Sequence, residues 1–348
     1  MHAVASISQS ALSHNLSVVR EYAPNSKLVG MVKANAYGHH LDLIKPLMQA
    51  DILAVSELSE ARQLRLLSTR PILLLSGVFN DNELLSAIQL NCHLVLHDLS
   101  QLSVITNTNQ SIHIWLKVDT GMHRLGLSEQ DLNTCLQELK DHSNIHVECV
   151  MSHYACADEE NHLQNTQQLN SFNQLAIDGI ARSMANSAAI LNLPESHFEY
   201  VRPGIMLYGV SPFAVADKRL QPVMELSAPI ISIKTIKTGE SVGYGATWCA
   251  SVDTKIAIIG IGYGDGYPRH AKNNTPVLIN DTLCPLAGRV SMDLICVDIG
   301  TLNVSVGDKA ILWGHDKLSI ETVASYSDTI GYELLTSVSS RVNFMTHD

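Results

Sequence analysis

The sequence predicts a two-domain chain, with an α/β N-terminal TIM (β/α)8 barrel followed by a C-terminal, mostly-β domain. Three observations carry this expectation. The 348 residues exceed the usual ceiling for a single hydrophobic core. Eight short apolar runs recur through the first two thirds at intervals that a helix fills. Beyond Gln221 the texture changes to β-branched, alternating segments broken by Gly, Pro and Asp.

The runs begin with Leu28 to Val32, Ile52 to Val55, Ile72 to Leu75 and His93 to Leu96, and continue with His113 to Val118, His146 to Met151, Ser183 to Asn186 and Phe198 to Val201. Amphipathic segments lie between several of them; Glu57 to Leu67 places Leu58, Ala61, Leu64 and Leu67 at helical spacing. Alternating strands and helices require a parallel sheet. A doubly wound open sheet has the same periodicity, but eight strands match the count of a closed barrel. In the last third, Ile230 to Ile236, Lys255 to Ile261, Thr275 to Ile279 and Leu294 to Ile299 read as strands. Pro203, Pro212, Pro222 and Pro229 punctuate the change, which divides the chain into residues 1–220 and 221–348.

Composition narrows the function. Twenty-three Lys and Arg against 34 Asp and Glu give a net charge of −11, which repels nucleic-acid backbones and anionic membranes. No apolar run approaches the roughly 20 residues that span a bilayer, and the first 21 residues lack the basic start and apolar core of a leader. The chain therefore reads as soluble and cytoplasmic. Seven cysteines with no C-x-x-C pair fit neither a disulfide framework nor a zinc ribbon, and read as buried free thiols. His93 and His97 are four apart on a strand, too far to chelate well, so no metal site is expected.

The chemistry concentrates around Lys33, at the C-terminal end of the first barrel strand, the rim where such barrels carry their active sites. A lysine after the apolar run Leu28 to Val32 either snorkels to solvent or is a desolvated, partly neutral nucleophile able to form a Schiff base.

The whole segment Val29-Gly30-Met31-Val32-Lys33-Ala34-Asn35-Ala36-Tyr37-Gly38-His39-His40 resembles the pyridoxal-phosphate lysine motif of the alanine racemases. The resemblance covers nearly the whole chain. It continues in order through Leu116 to Gly126, Met151 to Ala155, Ala185 to Ala189, Val201 to Gly209, Gly243 to Trp248, Gly262 to Tyr267 and Gly288 to Asp293. It implies pyridoxal 5'-phosphate as cofactor and L-alanine and D-alanine as substrates. Lys33 is then the cofactor lysine and the acid/base on one face of the substrate Cα, with Tyr244 serving the opposite face. Phenols ionise near pH 10, so a tyrosine base needs a cationic neighbourhood or a relay.

The same resemblance pairs His153 with Arg202, which would face the pyridine nitrogen. A guanidinium does not readily surrender its proton, so the ring stays a weaker electron sink and racemisation is favoured over transamination. Tyr37, Ser187, Gly204, Ile205 and Tyr332 are assigned to the phosphate, although Ser187 at a helix start also reads as a cap. Arg124 and the Met292 amide are assigned to the substrate carboxylate. Lys117 matches a lysine that is often carbamylated in the family; from the residues alone it also reads as an inward lysine paired with Asp119 or another acid. Asp158, Tyr263, Arg269, Arg289 and Ile330 are placed at the entrance. In the family the second domain comes from a partner, so the resemblance implies a homodimer with shared active sites.

Two positions depart from the family pattern: Ser291, where some members carry cysteine, and Asn343, where proline is expected after Arg341-Val342. The rival readings are a pyridoxal-phosphate decarboxylase or broader-specificity racemase of the same architecture, a metal-dependent barrel hydrolase using Lys117 with His113 or His153, and a non-catalytic cofactor carrier. D-alanine production points to peptidoglycan precursor supply in the bacterial cell wall, while the catabolic direction uses the same residues.

Overall fold

The computed structural model describes residues 2–348. It resolves into two compact units, one formed by residues 15–36 and 40–207, the other by the described residues up to His14, by 37–39 and by 208–348.

The first unit is a closed barrel. After the opening strand β1 (Val4–Ser8), its staves are β2 (Lys27–Met31), β3 (Ile52–Val55), β4 (Ile72–Leu74), β5 (Cys92–Leu96), β6 (Ile112–Lys117), β7 (Ile145–Met151), β8 (Ala181–Ser183) and β9 (Tyr200–Val201). All neighbours pair in parallel, and β9 returns to β2 through Lys27↔Tyr200 and Leu28↔Val201. Seven of the eight apolar runs coincide with a stave, while the run Ser183 to Asn186 is displaced toward the C-terminus and shares only Ser183 with β8. Strands covered on both faces are apolar throughout, as in β3 and β4, whose residues are all buried.

Helices fill the intervals where a cap and an apolar stripe coincide. Glu129–Leu139 starts at Ser128, whose hydroxyl accepts from Asp131 N–H, and buries Leu132, Cys135 and Leu139. Leu58–Leu67 buries Ala61 and Leu64 but leaves Leu67 46% exposed, so the stripe read from the sequence is narrower than expected. Between β2 and β3 there is no ordinary α-helix. Ala34, Asn35 and Ala36 instead form a left-handed turn, with φ of 51°, 50° and 59°, before two short 3-10 segments.

The second unit is mostly β. Its main sheet runs β15 (Thr282–Pro285), β14 (Pro276–Ile279), β17 (Lys309–Trp313), β10 (Met224–Ile236), β1 and β18 (Asn343–His347). The 13-residue β10 also pairs with β13 (Thr254–Ile259), which carries β16 (Ile295–Asp298). A small ribbon joins β11 (Ser241–Val242) to β12 (Trp248–Cys249). The opening strand joins the sheet of the second unit. β1 pairs antiparallel with β10, Val4 opposite Ser227, and parallel with β18, Val4 opposite Asn343. Five alternating residues specify a strand but not the sheet that receives it. Asn343, the departure from the family pattern, lies in that parallel ladder, where its N–H donates to Ala3 O at 2.9 Å. A proline there has no N–H to donate.

Candidate functional site

At the C-terminal ends of the staves, the barrel unit gathers Lys33, Lys117, Arg124, His153 and Arg202. Lys33 directly follows the buried Val32. Burial and the Arg124 cation lower its pKa from the ordinary lysine value, opposed by the Glu60 carboxylate. The amine is therefore easier to deprotonate, as a nucleophile or proton carrier requires.

Arg202 follows β9 and is almost wholly buried. Its Nη1 donates to Ser183 Oγ at 2.6 Å; its Nη2 reaches Ser152 O at 2.5 Å, Met184 O at 3.4 Å and His153 Nδ1 at 3.3 Å. These acceptors are all neutral, and desolvation brings the guanidinium pKa down to about 10. It remains a cation at neutral pH. His153 accepts through Nδ1, which needs the tautomer protonated on Nε2. Burial and then the cations of Arg202, Lys117, Arg124 and Lys33 hold its pKa well below the ordinary value, so it stays neutral. The His153–Arg202 pair expected from the sequence is thus in place, and Ser183 and Ser152 are additional partners.

Lys117 ends β6. Burial, followed by Arg202, Arg124 and Lys33, lowers its pKa to about 8. The pairing with Asp119 read from sequence is not formed. Asp119 instead accepts from the amides of Gly121 and His123 and lies 3.3 Å from the His123 ring. The lowered pKa leaves a larger fraction of neutral amine than an ordinary lysine has, and the neutral form is the one able to take up carbon dioxide; an anion there would be well compensated by the surrounding cations.

Ser187 opens the segment Ser187–Asn192 without capping it, because the Asn186 side chain accepts from Ala189 N–H. Released from that task, Ser187 Oγ accepts from Gly204 N–H at 2.9 Å and Met206 N–H at 3.4 Å. Ile205 lies between those two amides and is fully buried. A hydroxyl beside converging amides is a donor set for a phosphate dianion. Asp158 is exposed.

The second unit holds the remaining candidates. Tyr37 stacks on Tyr208, ring centroids 4.9 Å apart, and faces Tyr332 at 6.2 Å. Desolvation pushes the Tyr37 phenol up to about 12, keeping it a hydrogen-bond donor. Gly38 adopts φ +80°, and a Cβ there would fall 2.1 Å from Leu335 O, so only glycine fits. Tyr244 opens a short turn and is 69% exposed. The Arg289 guanidinium lies against that turn, 3.2 Å from where a Cβ on Gly245 would stand. Tyr263 donates its N–H to Ser291 O, and Gly264 to Met292 O. Met292, Tyr263, Ile330 and Arg269 are exposed. Two expectations need adjustment: Cys249 is exposed rather than buried, and Cys156 and Cys296 are half-buried, though all seven cysteines are free. His113 is occupied by Glu148 at 2.6 Å and stacks on His93, which leaves the metal-hydrolase reading without its ligand arrangement.

Comparison with known proteins settles the family. Residues 7–212 match the family model of the alanine racemase N-terminal domain, and residues 223–346 that of the C-terminal domain. The chain belongs to the alanine racemase family. Alanine racemase of Vesicomyosocius okutanii is 63% identical over 347 residues, covering 99% of each chain, and that of Photobacterium profundum is 45% identical over 98% of each. Among solved structures, the biosynthetic alanine racemase of Pseudomonas aeruginosa superposes with a TM-score of 0.95 at 42% identity, covering 100% of this chain and 99% of that one. The Bartonella henselae alanine racemase, solved with covalently bound pyridoxal phosphate, gives 0.92 at 28% identity over 100% of both chains.

The family is pyridoxal-phosphate-dependent, and the residues of this chain fit that cofactor. A lysine amine is kept easy to deprotonate, a buried arginine has only neutral acceptors, and a hydroxyl with two amides is free of capping duty. Among the described residues no helix is long and apolar enough to cross a membrane.

Proposed function

We propose that this chain interconverts L-alanine and D-alanine, with Lys33 and Tyr244 carrying the proton on opposite faces of the substrate Cα. The observation that carries the reading is the set of cations around Lys33. Burial and the Arg124 cation favour the neutral Lys33 amine, and Arg124 with Arg202 offers charge to an anionic substrate and cofactor. Pyridoxal phosphate bound through Lys33 supplies a conjugated, electron-withdrawing ring that lowers the cost of negative charge at Cα. Arg202, fixed by Ser183, Ser152 and His153, holds its own proton toward the cofactor nitrogen. Tyr37, Ser187, Gly204, Ile205 and Tyr332 bind the phosphate, and Arg124 with the Met292 amide orients the substrate carboxylate. Lys33 Nζ takes or returns the α-proton on one face, and Tyr244 Oη does so on the other. Lys117 in carbamylated form positions Arg124. Asp158, Tyr263, Arg269, Arg289 and Ile330 line the entrance.

The same reading makes the working form a homodimer in which Tyr244 and Met292 complete the partner's site, since both are exposed in the single chain. Seven free thiols fit a reducing, cytoplasmic setting, and the reaction supplies D-alanine for peptidoglycan. Incubation with L-alanine followed by a chiral assay tests the function. D-alanine accumulates with the wild-type protein and not with Lys33→Ala; release of carbon dioxide in place of D-alanine contradicts it.

A further inference from the structure

We propose that Glu60 is a positioning residue for Lys33: its carboxylate pins the left-handed turn that starts directly after the lysine and thereby fixes the direction in which the amine is delivered. The inference rests on Lys33 being the cofactor lysine. Glu60 is the third residue of the helix Leu58–Leu67, just beyond β3, and its Oε2 accepts from the amides of Ser56 at 2.9 Å and Glu57 at 3.2 Å. That much is helix capping. Its Oε1 does something a cap does not require: it accepts from Ala34 N–H at 2.5 Å, 26 residues away in the chain.

The bond falls where the backbone most needs holding. Ala34, Asn35 and Ala36 occupy the left-handed region, which costs roughly 1–2 kcal/mol for each L-residue. The far end of the turn is tied by His40 N–H to Asn35 O at 3.0 Å and by Leu41 N–H to Asn35 Oδ1 at 3.0 Å. Ala34 itself is exposed. At the end that bears the lysine, Ala36 N–H donates to Val32 O at 2.9 Å across Lys33, and the Glu60 oxygen is the side-chain tie that anchors this end to the next stave's helix. The same carboxylate opposes the effect of Arg124 on the amine. A glutamine cannot replace it. One carbonyl oxygen serves either the Ser56–Glu57 pair or Ala34, and the NH2 group then faces a donor. Aspartate keeps the charge but is one methylene too short to bridge both sides.

The test compares wild type, E60Q, E60D and E57A as holoenzymes, reading the dissociation constant of pyridoxal phosphate from its protein-bound visible band and the primary deuterium isotope effect with each alanine enantiomer. Borohydride reduction and peptide mapping locate the pyridoxyl group. The expected result is a cofactor dissociation constant raised about tenfold or more in E60Q and E60D, the effect of losing one hydrogen bond to a charged group. The isotope effect then rises with one enantiomer only, because only the Lys33 face is disturbed. E57A, which keeps the Ala34 bond, retains cofactor as wild type does. Wild-type retention in E60Q or in E60D overturns the assignment, as does an isotope effect raised equally for both enantiomers. A pyridoxyl group on a lysine other than Lys33 overturns the Lys33 reading and this inference with it, whereas a labelled Lys33 with unchanged E60Q overturns only the role of Glu60.

Discussion

Arg202 keeps its charge in a buried position because its guanidinium bonds are met by oxygens and a ring nitrogen that carry no charge of their own. A carboxylate there would neutralise it; neutral acceptors leave its field directed at whatever binds. Ser183→Ala removes the Nη1 partner and leaves a buried charged donor unmet, which destabilises the protein by about 1–3 kcal/mol in urea unfolding. Lys117 makes a pH prediction. Its folded pKa of about 8 lies below the ordinary lysine value, so between the two the unfolded chain holds a proton that the folded chain does not. Stability from this group therefore rises with pH across that window. Urea unfolding of the cofactor-free protein, with carbon dioxide excluded, shows this rise, and Lys117→Met flattens it. Lys33 and Arg202 were legible in the sequence because each sits in a long motif. Ser183 and Glu60 were not: they are ordinary residue types whose partners lie 19 and 26 positions away, and the parallel pairing of neighbouring staves, β8 with β9 and β2 with β3, brings them together.

Between β2 and β3 the element that matters is the one that periodicity could not predict. Apolar spacing reports helices and strands, but four consecutive residues of positive φ, Ala34 to Tyr37, bury only Ala36 and leave no repeating pattern. A β-branched side chain is a poor occupant of that region, and Ala34 is exposed, so Ala34→Val adds backbone strain without changing the core. Its expected cost is about 1–3 kcal/mol, measured by thermal unfolding together with faster loss of cofactor on dilution. An unchanged melting temperature and unchanged retention would show the turn to be unstrained. The staves themselves were readable because parallel strands buried on both faces appear as short apolar runs. β1 was not among the strands read from the sequence, and its partners are set by β10 and β18 far along the chain.

On the scale of the whole molecule, Lys33 belongs to the barrel unit and Tyr244 to the other, so the proposed chemistry draws on residues of both compact units. Under the shared-site reading, inactive Lys33→Ala and Tyr244→Phe chains mixed and reassembled regain up to about one quarter of wild-type activity, since half the dimers are mixed and each of those has one intact site. No recovery in demonstrably mixed dimers argues against it. The central claim is that two residues serve two faces of one carbon. It is tested most directly by proton NMR of each alanine enantiomer in deuterated water with wild type and Tyr244→Phe. The account predicts that wild type exchanges the α-proton of both enantiomers and racemises them, whereas Tyr244→Phe exchanges that of one enantiomer only, with retention of configuration. Racemisation by Tyr244→Phe at the wild-type rate would contradict it.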